Sequence, residues 1–257
     1  MKKSEKLLQR LFLESELCRD LKIIYMKSTC STNELAKNAP RGGAPVSIYV
    51  AEKQTGGRGR LGRSFSSKKG GLYMTLRFEK SLPATSATRV TVFAAVAIAR
   101  AIEKLAPVNI GIKWVNDLIL DGKKLAGILC EGVAGEDGNI EVTALGIGIN
   151  VKNRLPKELF DIATSLSEHT EPPSTVELAF AITNEIYDMQ GLPFSEVIEE
   201  YRSRSVIIGK DVRVIKKGIP EYAARAIGID GNGALILELP SGKTEILSTG
   251  EVSVRAL

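Results

Sequence analysis

Residues 53–78 read KQTGGRGRLGRSFSSKKGGLYMTLRF, and the fold depends on how this stretch is parsed. Gly57-Arg58-Gly59-Arg60-Leu61-Gly62 matches the G-x-G-x-x-G pattern of a dinucleotide-binding turn, with Glu79 about twenty residues on, where an acidic ribose ligand would stand. In such a fold the third glycine opens a helix. Here Arg63 to Gly71 has no helical periodicity and leads into Gly71–Phe78, which reads as a strand. The stretch is therefore a loop of roughly seventeen polar, glycine-rich residues between that strand and Val46–Ala51, and loops of that length inside a compact domain tend to be functional.

The same loop carries the excess charge. The chain has a net charge of +5 and a sequence pI near 9.0. Lys53, Arg58, Arg60, Arg63, Lys68 and Lys69 lie in it with no acid between them, so the rest of the chain is close to neutral. Basicity concentrated in one loop suits one small polyanion better than a length of nucleic acid. Glycines let backbone N–H groups approach a phosphate, and the arginines add charge-assisted, bidentate donors.

Other chemistries are excluded by what the chain lacks. His169 is the single histidine among 257 residues, so a two-histidine zinc site is impossible, and no G-x-S-x-G elbow accompanies it. Its setting, Ser167 to Pro173, reads as a solvated polar turn. Three cysteines (Cys18, Cys30, Cys130) form no C-x-x-C pair and no disulfide framework, and Cys130 reads as a core residue. No apolar run is long enough to span a membrane, and the first twenty residues do not resemble a secretion signal. A cytoplasmic protein is expected.

Outward from the loop, strands and helices interleave. A helix is expected over residues 1–21, then a short apolar segment at Ile23-Ile24-Tyr25. Ser31-Thr32-Asn33-Glu34 has the form of a capping box opening a helix to Ala39. Ala84–Leu105 repeats apolar residues at helical spacing. Ile110–Lys113, Leu118–Leu120 and Leu125–Glu131 read as strands, the last two joined by an Asp121-Gly122 hairpin turn, and Glu141–Asn150 continues the β pattern. Val176–Met189 and Phe194–Tyr201 read as helices broken at Pro193. After residue 204 only short strands remain, which suggests a small β-barrel. The expected class is α+β: a mixed sheet flanked by helices over 1–204, with a β-barrel over 205–257.

Two further constellations carry chemistry. Lys113-Trp114-Val115-Asn116-Asp117 is followed by Lys123-Lys124-Leu125-Ala126-Gly127. Lysines at strand ends can project an ammonium into a cleft floored by the sheet and neutralise a carboxylate or phosphate there. Trp114 could pack or touch ligand. Gly146-Ile147-Gly148-Ile149-Asn150 places glycines inside a strand, where a ligand or another backbone can come close. Gly242-Lys243-Thr244 imitates the end of a P-loop, but Leu237 stands where the first glycine belongs.

Taken together, and in this order along residues 22 to 255, these motifs resemble those of biotin protein ligases. The resemblance implies a class II synthetase-like biotin/lipoate ligase fold with an SH3-like C-terminal barrel. It implies activation of biotin by MgATP to biotinoyl-5′-AMP, then transfer to one lysine of a carboxyl carrier domain. It also assigns roles. Ser31, Thr32, Asn33 and Gln54 would line the biotin pocket, with Gly57 and Gly127. Arg58, Gly59 and Arg60 would order over biotin and the adenylate, with Arg63 on the ATP side. Lys124 would hold the carboxylate and phosphate. Lys113 and Trp114 would serve the ATP side, Asn116 and Asn150 the adenine, and Asp117 the metal. The resemblance implies a homodimer, and no operator binding is expected, since few residues precede the first strand. Valine at 115 departs from the family's usual proline. Lipoate or octanoate ligases and transferases share the fold and are the alternative.

Overall fold

The computed structural model describes residues 3–42, 46–216, 218–248 and 251–253. Helix α1 (Lys3–Glu14) is shorter than the expected 1–21. It buries Leu8 and Phe12, and the Phe12 ring meets Phe180 edge to face. The chain then turns so that Cys18 is fully buried, and Ser15 donates a side-chain hydrogen bond to Asn184. Residues 16–20 are turn, which leaves Leu17 exposed.

A seven-stranded mixed sheet follows. Its strands are β1 (Lys22–Met26), β2 (Val46–Ala51), β3 (Leu72–Phe78), β4 (Gly111–Lys113), β5 (Asp117–Leu120), β6 (Lys123–Ala134) and β7 (Ile140–Ile149). They lie in the order β1-β2-β3-β7-β6-β5-β4, with β1 parallel to β2 and the other neighbours antiparallel. Helix α3 (Ala87–Leu105) packs on β5 and β6, α4 (Thr175–Asp188) on α3 and β3, and α5 (Phe194–Ser203) on α3. Helix α2 (Thr32–Asn38) lies on β2, β3 and β7. Strand alternation separates the two faces. On β3, Thr75 and Arg77 reach α2, while Met74 and Leu76 lie in the large core with α3.

Residues 211–253 form a five-stranded antiparallel sheet in the order β11-β10-β9-β8-β12: β8 (Asp211–Lys216), β9 (Ile219–Ile229), β10 (Leu235–Glu238), β11 (Thr244–Leu247) and β12 (Glu251–Ser253). The sequence reads as a last strand over Val252–Val254, of which Val254 lies outside the described residues. Among the described residues, no helix is long and apolar enough to cross a membrane.

Candidate active site

One cleft gathers the polar start of α2, the arginine–glycine loop and the middle of the sheet. At one end, Ser31 is the N-cap of α2 and accepts a hydrogen bond from the Glu34 N–H. Thr32 and Asn33 follow, both nearly buried. The Gln54 carboxamide oxygen accepts from the Thr32 backbone N–H (2.8 Å) and hydroxyl (3.1 Å), while its amide nitrogen donates to Ser67 Oγ (3.0 Å). Buried Thr75 lies 2.8 Å from the Thr32 hydroxyl and 2.6 Å from Asn33 Oδ1. Asn33 Nδ2 donates to the Leu129 carbonyl and to Glu131. Every side-chain amide here is held by partners, so this end offers donors and acceptors fixed in direction.

The loop is a small hairpin. Arg58 and Ser64 form an antiparallel bridge, the Gly59 N–H donates to the Arg63 carbonyl (2.7 Å), and the Phe65 N–H to the Gly57 carbonyl (2.9 Å). Its tip is a tight turn at Arg60–Gly62 with Leu61 and Gly62 both at positive φ. Glycine takes that conformation freely, whereas leucine does so at a cost. Arg58 Nη1 reaches Glu34 (2.8 Å), and Arg60 Nη1 donates to Asn116 Oδ1 (3.2 Å). The Asn116 amide nitrogen in turn donates to the Ile128 carbonyl. The loop thus touches α2 on one side and the β4–β5 turn on the other.

The floor comes from strand register. Tyr73 on β3, Gly148 on β7, Gly127 on β6, Asp117 on β5 and Lys113 on β4 pair in one row across five strands. The strand glycines admit side chains: a Cβ at Gly148 would lie 2.6 Å from the Phe65 ring, and one at Gly146 would overlap the Asn33 amide. Lys124 needs a further device. Residues 124 and 127 would face opposite sides of a regular strand. The β5–β6 register skips Leu125, a one-residue bulge, and brings Lys124 onto the Gly127 side. Its Nζ would sit 3.2 Å from a Cβ at 127, is 2.6 Å from Asp117 Oδ1 and 5.9 Å from the Phe65 ring centroid.

Asp117 Oδ1 is buried, and the lysine contact is one of charge, since no aligned hydrogen bond reaches that oxygen. A buried, hard carboxylate oxygen of this kind suits a magnesium ion, which prefers oxygen ligands. Among the described residues, no group of three histidine, cysteine or acidic side chains forms a metal cluster.

Ser31, Thr32, Asn33, Gln54, Arg58, Gly59, Arg60, Arg63, Lys113, Trp114, Asn116, Asp117, Lys124 and Gly127 all line this cleft. Two expected residues do not. Gly57 sits behind Gln54, where a Cβ would lie 2.5 Å from the Phe65 carbonyl, so it serves loop packing. Asn150 follows the end of β7 and is 4% exposed; its Oδ1 accepts from Asn153, which closes a turn there instead of facing the cleft. His169 is an exposed turn residue, as expected, but its ring is not free. Its Nδ1 is 2.9 Å from Asp121 and its Nε2 2.8 Å from the Thr164 hydroxyl, tying the β5–β6 turn to the segment after β7. Trp114 both lines the cleft and packs, at 3% exposure. Burial pushes the Cys130 thiol up to about 12, which makes it a poor nucleophile at neutral pH.

Sequence reading missed Phe65, Ser67, Thr75 and Glu131. Phe65 and Ser67 stand in the loop without periodicity. Thr75 sits in an apolar run whose face only the sheet reveals.

The Biotin/lipoate A/B protein ligase family matches residues 25–150, and the Biotin protein ligase C terminal domain matches residues 207–255. The bifunctional ligase/repressor BirA of Bacillus subtilis is 35% identical over 236 residues, covering 88% of this chain and 72% of that protein. The biotin--[acetyl-CoA-carboxylase] ligase of Mycobacterium tuberculosis is 28% identical over 244 residues, covering 91% of this chain and 88% of its own. The solved biotin protein ligase of Aquifex aeolicus, in complex with biotin and ATP, superimposes with a TM-score of 0.75 at 26% identity, over 91% of this chain and 98% of that one. With the cleft, the sheet order and these likenesses in agreement, the chain belongs to the biotin protein ligase family.

Proposed function

We propose that this protein activates biotin with MgATP to biotinoyl-5′-AMP and pyrophosphate, then transfers biotin to one lysine of a biotin carboxyl carrier domain. The observation that carries this reading is the placement of Lys124. The bulge sets its ammonium over Gly127, between the amide-rich end and the arginine loop. Adenylation brings a carboxylate against an anionic α-phosphate, so two negative groups must meet. Lys124, Arg58 and Arg60 offset their repulsion and stabilise the charge that develops in the transition state.

The amide-rich end, with Ser31, Thr32, Asn33 and Gln54, matches the several donors and acceptors of a ureido ring better than a purely apolar acyl chain. Lys113, Trp114, Asn116 and Arg63 take the nucleotide side. Asp117 would hold magnesium, which shields phosphate charge when bound. In the second step the acceptor lysine attacks the mixed anhydride and AMP leaves, so no enzyme nucleophile is required. Water exclusion by the loop protects that anhydride.

A homodimer, a cytoplasmic location, no nucleic-acid binding and a division into units at 1–204 and 205–257 complete the proposal. Biotin-dependent exchange of pyrophosphate into ATP tests its core. Exchange driven by lipoate or octanoate, and not by biotin, would favour the alternative acyl ligase.

A further inference from the structure

We propose that Glu34 is a positioning residue that holds Arg58, and with it the arginine–glycine loop, over the cleft. The inference deepens the ligase reading and rests on it for what the loop retains.

Glu34 stands at the third position of α2, where a capping-box glutamate would fold back onto the N-cap backbone. It does not do so. Its Oε1 lies 2.8 Å from Arg58 Nη1 and 2.8 Å from Lys37 Nζ. Lys37 Nζ is also 2.8 Å from Glu131 Oε1, and the other Glu131 oxygen accepts from Asn33 Nδ2 at 2.8 Å. Charges therefore alternate from Arg58 through Glu34 and Lys37 to Glu131, and the chain ends on Asn33, a wall of the cleft.

The Arg58 side chain is 54% exposed, whereas Lys37 is 19% and Glu131 25% exposed. The exposed end is thus moored to a more buried one. The Lys37 hydrogen bond, then the nearby charges of Lys37 and Arg58, hold the Glu34 carboxyl below the usual range, so it is ionised at neutral pH. Four side chains give up freedom to form this chain of contacts, a cost that exposed pairs alone return little of.

The test uses the full chain. Enzyme charged with biotin and MgATP is stripped of free nucleotide, and loss of the adenylate is followed by chase. Glu34→Gln is expected to lose adenylate about 2- to 10-fold faster, as suits one half-exposed charge-assisted hydrogen bond. The KM for biotin in pyrophosphate exchange is expected to move less than the loss rate. Lys37→Met is expected to act in the same direction, and Glu34→Gln to add nothing in an Arg58→Ala background. Trypsin gives a readout independent of ligand: the uncharged protein should be cut faster after Arg58, Arg60 and Arg63 in Glu34→Gln. Unchanged cutting, or slower adenylate loss from a Glu34 that competes for Arg58, would overturn the proposal. Absence of biotin-dependent exchange in the unaltered protein would instead overturn the ligase reading and leave the trypsin result to decide the latch.

Discussion

The indole Nε1 of Trp114 donates a 2.8 Å hydrogen bond to the carbonyl oxygen of Gly233, joining the wall of the cleft to a turn of the C-terminal sheet. Gly233 sits at φ +88°, and a Cβ there would lie 2.8 Å from Val92 on α3. Arg202 on α5 donates to the Ile229 carbonyl beside the same turn. The C-terminal sheet is therefore keyed to the seven-stranded unit through a residue that lines the cleft.

Trp114→Phe keeps an aromatic ring but strands the buried Gly233 carbonyl. It is expected to lower stability by about 1–3 kcal/mol, the usual cost of an unsatisfied buried group. Urea unfolding measures this. A midpoint equal to that of the unaltered protein would mean that the carbonyl finds another donor.

Lys124→Ala removes the ammonium placed over Gly127. Pyrophosphate exchange is expected to fall ~10²–10³-fold, with biotin affinity reduced much less. Titration of biotin binding beside the exchange assay separates the two. Equal losses would make Lys124 a binding group only.

Arg60 bonds to Asn116 and closes the loop onto the β4–β5 turn. In Arg60→Ala the adenylate should escape sooner and biotinylate exposed lysines of bystander proteins. Blotting a mixture of the carrier with an unrelated protein reads this directly. Label confined to the carrier lysine would count against the loop's retaining role.

Gly146→Ala would drive a methyl into the Asn33 amide, which is already engaged by Thr75, Leu129 and Glu131. Biotin KM should rise about 5- to 100-fold while the fold persists, since displacing a held polar group costs about 1–3 kcal/mol. A KM within error of the parent's would show that the amide shifts freely.

Glu200 gives a pH test. Burial works against its charge, but hydrogen bonds from Arg100 and Arg204 outweigh this and hold its carboxyl below the usual 4.5. A depressed folded value contributes stability above 4.5 that is lost as pH falls through that lower value. The stability gap between the parent and Glu200→Gln should therefore be constant from pH 7 to 5 and close at lower pH. A gap that widens in acid would contradict the sign.

Much of this molecule is legible in its sequence. The failure of a helix to follow Gly62 already separates the loop from a dinucleotide turn. Val46–Ala51, Gly71–Phe78 and Glu141–Asn150 declare strands through apolar content, and β2, β3 and β7 match them to within a residue. Helix ends were less legible. α1 stops at Glu14, and the turn after it buries Cys18 in the core, which local spacing does not show. His169 reads as a polar turn residue and is one; what the local pattern does not show is its contact with Asp121 of the distant β5–β6 turn.

The sequence by itself determined which residue types the cleft would need, because alternating glycine and arginine, and lysines at strand ends, are chemistry written locally. Only the tertiary structure decided which way they face. A strand repeats every two residues, so Lys124 and Gly127 belong to opposite faces until the bulge at Leu125 resets the count. β6 pairs with β5 on both sides of that bulge and with β7 from Ala126 onward. Such pairing depends on residues far apart in the chain, and no local pattern records it.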